Sequence, residues 1–485
     1  MTRLARGLRP AAAVFLLLAS VGAVASRQAA GRAASPKQTP VAAAPAGGWK
    51  EVDRLVSEQK FAEAAKVVDG LLAQARAGKD ETGWTRALVR RVQLEIGLHG
   101  YETAVRFLKE QPRPAGLLSR VTLDLFYGET LVTYARAYSW EISQRERVEA
   151  PGVDLKAWTR EQIFEEARRA YGDAWLERDA LAKVPVKDLA EYVAANTYPA
   201  EIRGTLRDVV TYLAVDLLAD TTGWTPAQSS AVEGLGLARL LAREGSAEGL
   251  RLDGPGHPLE KIVAALADLE AWHAAAGQSQ AALEARLERL RRLHAAFTQS
   301  ADRGEIRRDL EQRLPRFRDV SWWSMGMATL ARFRQAEDAA DNLIRALELA
   351  REGEKAYPRS PGGEACRSIA AAIQAPDFQA ASMSEDGLRR RSLQLTHKNV
   401  DVLYLRAYPV DLVARIESAS DYNLLPSGNE VRGMLAKERP VASWSVALPP
   451  TPDYKPHRTF VTPPLDGPGL YVVVLSARPD FGEND

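Results

Sequence analysis

The sequence predicts a mainly α-helical chain that ends in a small β domain: an array of helical hairpins followed by an incomplete antiparallel β-sandwich. Three observations carry this. Apolar residues recur at three- and four-residue spacing almost everywhere up to residue 380. A hairpin-sized pattern returns forty residues after its first appearance, in residues 61–68 and 101–108. From residue 396 onward the apolar residues become β-branched or aromatic, the runs shorten, and prolines separate them.

At 485 residues the chain is too long for one hydrophobic core. Its 46% hydrophobic and 26% charged content are ordinary for a globular protein. Lys plus Arg number 64 and Asp plus Glu 63, so no basic field exists to hold nucleic acid or an anionic lipid surface. A lone cysteine, Cys366, excludes an internal disulfide framework and any multi-cysteine metal site.

Residues 1–25 read as a secretory signal peptide. Arg3, Arg6 and Arg9 precede an apolar run from Ala11 to Leu18, and Ala23-Val24-Ala25 supplies a small-x-small cleavage pattern. An uncleaved anchor is the alternative, but the run is short for a spanning helix, and no later stretch is long and uncharged enough to cross a bilayer. The expectation is an exported, periplasmic or extracellular protein with no integral span once the signal is removed. Residues 26–48, built of Ala, Pro and Gly with almost no large apolar side chain, read as a disordered linker.

The array is expected over residues 49–380. Phe61-Ala62-Glu63-Ala64-Ala65-Lys66-Val67-Val68 aligns with Tyr101-Glu102-Thr103-Ala104-Val105-Arg106-Phe107-Leu108. An aromatic at the turn, alanine at a close crossing, a base and two large apolar residues describe a helix-turn-helix repeat of the tetratricopeptide kind. Leu123, Phe126, Leu131, Tyr134, Tyr138 and Trp140 form an aromatic stripe expected in the core. Thr159 with Gln162, and Thr225-Pro226-Ala227-Gln228, have the grammar of helix starts. A helix is expected over 201–220, and Leu283, Leu287, Leu290, Leu293 and Phe297 mark another on a charged background. A hairpin carrying Trp322 and Trp323 spans 321–357, and a short helix around Cys366, Ile369, Ala372 and Ile373 closes the array.

Residues 381–396 read as a polar connector, and 397–485 as a partial β-sandwich. Residues 396–415 are expected as one strand buried on both faces, with Leu403, Leu405 and Ala407 on one side and Val400, Val402, Tyr404 and Tyr408 on the other. Further strands are expected over 443–447, 458–461 and 469–477, the last a nearly pure apolar run typical of an inner strand. About four strands result, where a self-sufficient sandwich has around seven.

No catalytic, cofactor-binding or metal-binding residue is assigned. Gly234-Leu235-Gly236 lacks the third glycine and preceding strand of a dinucleotide loop, and no Gly-x-Ser-x-Gly elbow exists. His99, His257, His273, His294, His397 and His457 never pair at i,i+3 or i,i+4, so surface or capping roles are expected for them. Cys366 reads as a small buried residue, and the alternating acids and bases on the helices read as solvated faces. The chain thus reads as non-enzymatic.

Four phrases together resemble bacterial alpha-2-macroglobulin-like proteins of the large extracellular helical type. His397-Lys398-Asn399-Val400-Asp401-Val402-Leu403-Tyr404-Leu405-Arg406-Ala407-Tyr408 is similar to the entry strand of their first macroglobulin-type domain. Gly469-Leu470-Tyr471-Val472-Val473 is similar to a later strand of that domain. Gly204-Thr205-Leu206-Arg207-Asp208, and Tyr357-Pro358-Arg359-Ser360 followed by Cys366, resemble phrases of the helical leader. The resemblance implies a protease inhibitor that is cut at a bait segment, collapses round a protease and can crosslink it through a thioester. The thioester requires Cys-x-Glu-Gln, whereas Cys366 is followed by Arg367-Ser368-Ile369, so no functional residue of the family carries over. The expectation is the N-terminal scaffold portion of such an inhibitor, lacking bait and thioester regions, with a protease or other protein as partner. The alternative is an exported helical-repeat adaptor that binds a peptide or envelope partner.

Overall fold

The computed structural model describes residues 46–147, 154–194, 196–383, 392–418 and 424–482. The signal segment and nearly all of the linker lie outside the described residues. The chain forms two compact units, divided between Asp309 and Leu310.

In the first unit, α1 (Ala46–Ser57), α2 (Phe61–Ala77), α3 (Glu81–Gly97), α4 (Tyr101–Glu110) and α5 (Leu117–Ala137) follow one another through short turns. The first helix takes in Ala46 to Gly48, so helical structure begins three residues before Trp49. The turns repeat closely. Gln59, Lys79 and His99 lie 20 residues apart, and each has a left-handed backbone, with φ of 59°, 52° and 61°. The amide after each reaches back to a carbonyl five residues earlier: Lys60 to Leu55 at 2.8 Å, Asp80 to Ala75 at 2.9 Å and Gly100 to Glu95 at 2.8 Å. Such a turn satisfies the last carbonyls of one helix and aims the next one back along it. Ala64, Ala65 and Ala104 are buried at the crossings, as the repeat requires.

Two small helices, α6 (Ser139–Ser143) and α8 (Arg178–Leu181), flank α7 (Arg160–Leu176), which pairs with α5. Leu123, Phe126, Leu131 and Tyr134 are core, but Trp140 is 77% exposed. The reason is a change of phase: α5 ends at Ala137, and α6 turns Trp140 away. The next helix, α9 (Leu206–Ala219), starts later than the spacing suggests, because Thr205 and Asp208 cap it reciprocally. Pro199 sits before that start in a turn, its carbonyl accepting from Ile202 N. Thr159–Gln162 and Thr225–Gln228 are capping boxes as expected, opening α7 and α10 (Pro226–Ala231). After α11 (Leu237–Leu241) come α12 (Pro258–Ala275) and α13 (Ser279–Ala296), joined through Gly277 at φ 72°. Helix α14 (Ser300–Arg313) runs through the division between the units.

The second unit contains α15 (Trp323–Gln335), α16 (Asn342–Ala356) and α17 (Pro361–Gln374), each packed against the other two. Two three-stranded antiparallel sheets follow. One has the order β1 (Asp377–Ser382), β2 (Leu393–Lys398), β5 (His457–Val461). The other has the order β4 (Ala442–Ala447), β3 (Val402–Val410), β6 (Leu470–Ser476). Leu393 and Leu395 of the first sheet share one small core with Leu403 and Leu405 of the second, completed by Val400 and Leu448.

The mainly α class stands, and three details of the β region differ from the sequence reading. Strands begin at Asp377 rather than 397, so the expected connector contributes most of β2. Residues 396–415 are not one strand. They end β2, turn at Asn399 (φ 55°), form β3 and enter α18 (Leu412–Ser418), with α19 (Gly428–Lys437) following before β4. Leu403, Leu405 and Ala407 face inward, while Val402, Tyr404 and Arg406 are only half-buried. The apolar strand β6 is an edge strand, half-buried along most of its length, because β3 holds the centre.

Close helix contact in the second unit depends on Gly362. A Cβ there would collide with the backbone of α15 at Met325 N. Gly362→Ala is therefore expected to destabilise this unit by about 1–3 kcal/mol, the usual cost of overpacking. Gly433→Ala on α19 has nothing within 4 Å of the added carbon and should be neutral or stabilising. Urea unfolding followed by circular dichroism measures both.

Candidate functional site: a buried ionic lattice

Helix α13 reads Ser-Gln-Ala-Ala-Leu-Glu-Ala-Arg-Leu-Glu-Arg-Leu-Arg-Arg-Leu-His-Ala-Ala. Its leucines form the expected inward stripe. Its charges do not form a solvated face: Glu284, Arg286, Glu288 and Arg289 are all buried. Burying a charge without a partner is costly, so each must find an opposite charge on a neighbouring element.

The centre is Arg203, which lies just before α9 and is 4% exposed. Its guanidinium carbon sits 3.9 Å from the ring centroid of Tyr198 and 3.5 Å from that of Tyr212. Nη2 donates to Glu284 at 2.7 Å and to the Tyr198 hydroxyl at 3.1 Å, with Glu288 at 3.6 Å. Burial opposes the charge, but Tyr212, Glu284, Tyr198 and Glu288 outweigh it and raise Arg203 above its ordinary value. Arg291 donates to both carboxylate oxygens of Glu284 at 3.1 Å and to Glu288 at 2.8 Å. Arg292 binds Glu288 at 2.7 Å and also reaches Asp216 of α9. Burial alone would raise Glu288, yet Arg291, Arg292 and Arg203 bring it down to about 2.

Two further groups extend the lattice. Asp268 of α12 accepts from Arg207 at 2.7 Å, from Arg178 at 3.1 Å and from the Ala247 amide at 3.0 Å. These contacts overcome burial and lower Asp268. Arg178 also lies 3.8 Å from the Trp175 ring centroid. Glu270 pairs with Arg286 at 2.7 Å and Arg289 at 3.1 Å. His273 completes the set, with Nε2 2.8 Å from Asp208 and Nδ1 2.7 Å from Gln278.

The other histidines are spread out. His99 occupies a turn, and His257 caps α12, accepting from Leu259 N at 3.0 Å. His294 is half-buried on α13. His397 and His457 stand opposite one another on β2 and β5. Among the described residues, no group of three or more His, Cys, Asp or Glu could hold a metal ion. Cys366 is buried on α17, its thiol 3.4 Å from the Ser324 carbonyl, and burial pushes it up to about 12. Asp124 is pushed up to about 6 by burial, against the pull of Arg113.

Chemically, the lattice is a closed set of cation–carboxylate pairs. Its principal groups pair with one another across elements, which holds α9, α12 and α13 in register. The sequence shows the density of Arg and Glu on both sides of the leucine stripe of α13, but not that residues 281–290 are buried all round. No model of a known protein family matches the chain, and no curated protein matches it. Among the described residues, no helix is long and apolar enough to cross a membrane.

Arg203→Met leaves Glu284 buried with one partner fewer and is expected to cost about 3–5 kcal/mol. Arg54→Met, at an exposed pair with Glu51 and Glu58, should leave the urea midpoint nearly unchanged. Urea midpoints of the two variants separate these outcomes. For Cys366, iodoacetamide at pH 8 is expected to leave the native thiol unmodified and to alkylate it fully in denaturant, since the buried thiolate is disfavoured. Intact mass reads the difference.

Proposed function

We propose that the chain is the N-terminal scaffold portion of an exported alpha-2-macroglobulin-like protease inhibitor, without bait or thioester segments of its own. The observation that supports this reading most is the path of residues 397–408. The phrase that resembles the family's entry strand spans the corner between two sheets and supplies the inward Leu403 and Leu405 of the central strand. A helical array precedes it, in the order the resemblance implies. The lattice on α13 fits a scaffold, because it fixes helix register. Export is read from residues 1–25, which lie outside the described residues.

One structural feature favours a second reading, a helical-repeat adaptor for a peptide or envelope partner. The turns at Gln59, Lys79 and His99 recur at constant spacing, as in stacked repeats that present a continuous surface.

The scaffold reading is tested by incubating the full chain with trypsin, elastase and thermolysin, then separating products by size-exclusion chromatography. The expected outcome is digestion with no protease carried in the high-mass fraction. Retention of active protease after cleavage would overturn the statement that the trapping parts are missing.

A further inference from the structure

Strand β2 alternates cleanly, with Leu393, Leu395 and His397 at its three inward positions. The first two are core leucines, and the third is a histidine that is 1% exposed. Its Nε2 lies 3.2 Å from the Thr459 hydroxyl on β5. Its Nδ1 is buried and has no hydrogen-bond partner. Opposite it across the β2–β5 ladder stands His457, whose Nε2 lies 2.9 Å from Asp453 Oδ1.

Among the described residues, no carboxylate is in place to receive a charge on His397. From β1 the residue opposite is Phe378, and the exposed Asp377 pairs in register with Lys398. From β5 come His457 and Thr459, while Arg458 is exposed. From the loop before β5, Asp453 is engaged by His457, and Lys455 donates to the Ala339 carbonyl at 2.7 Å. The inner side holds apolar residues of the sandwich core.

The seam between β2 and β5 also anchors the sheet to the end of α17 in the same unit. Asn399 follows β2 directly and donates to the carbonyls of Ile373 and Ala375 at 2.9 and 3.1 Å. Its amide donates to Thr451 Oγ1 at 2.9 Å, in the segment leading to β5. Lys398 reaches the Ala372 carbonyl at 3.2 Å.

We propose that His397 and His457 form an acid-sensitive latch: protonation of His397 opens the β2–β5 seam and loosens the joint between the sheet and α17. A proton on Nδ1 would place a charge where none of the described residues accepts it, directly across from a second imidazole. The sign follows from the environment. Burial first, and His457 second, hold His397 below its ordinary value. A base depressed in the folded state stabilises the fold above the unfolded value, near 6.5, and that stability is lost as pH falls through the folded value.

The test is hydrogen exchange by mass spectrometry on the full chain at pH 7.5 and 5.0, corrected for the intrinsic pH dependence of amide exchange. Peptides covering 393–398 and 457–461 are expected to exchange on the order of tenfold faster at pH 5.0, with those of α12 and α13 unchanged. His397→Leu continues the leucine pattern and should abolish the acid response. His457→Gln retains the titrating group but removes its opposing charge, and should weaken the response. Equal protection of the wild-type strands at both pH values overturns the proposal, as does an undiminished acid response in His397→Leu. If His397→Leu does not fold, an undiminished response in His457→Gln overturns it instead.

Discussion

The first unit is organised by the requirement that buried charges be neutralised where they stand. Arg203, Arg291 and Arg292 face Glu284, Glu288 and Asp216, so three cations meet three carboxylates among α9, α13 and the turn before α9. Leucine contacts alone tolerate sliding, because one apolar side chain replaces another at similar cost. The ionic contacts do not. Moving α13 by one turn, about 5.4 Å, would break the pairs that cross between elements, Glu284 with Arg203 and Arg292 with Asp216, while the pairs within α13 move with it. The aromatic rings of Tyr198 and Tyr212 close the faces of the Arg203 guanidinium, which is less strongly hydrated than an ammonium and therefore suited to this position.

This explains what the sequence made legible and what it concealed. The capping boxes at Thr159 and Thr225 were legible because capping is local: the hydroxyl and the amide three residues on are neighbours in sequence. The recurrence at Phe61 and Tyr101 was legible for the same reason, and both residues start helices. The lattice was not legible, because an alternation of Arg and Glu looks identical on a solvated face and on a doubly packed one. Only the burial of residues 281–290 all round distinguishes them, and that is tertiary information. Trp140 failed for a smaller reason, since a helix break after Ala137 resets the phase on which the stripe depended.

In the β region the misreading was one of continuity. Residues 396–415 carry apolar side chains on both sides when drawn as one strand, which suggests burial on both faces. The chain instead changes sheets within this stretch, so the inward side of β2 and the inward side of β3 face a common core from opposite directions. Two half-buried strands joined by a corner produce the same composition as one fully buried strand. Length was the available discriminator: 20 residues exceed an ordinary strand by a wide margin.

The corner itself has an identifiable cause. Asn399 adopts φ 55°, a conformation that asparagine tolerates better than most residues. Its side-chain amide donates to two carbonyls at the end of α17, and its backbone amide donates to Thr451. Three hydrogen bonds thus converge on the residue where β2 stops, and they offset the cost of the left-handed turn. Glycine could adopt the same φ but would leave the Ile373 and Ala375 carbonyls without that donor. Aspartate would put oxygen against oxygen. The sheet change is therefore set by one side chain that is matched both to a backbone angle and to a helix terminus, and the seam carrying His397 begins immediately beside it.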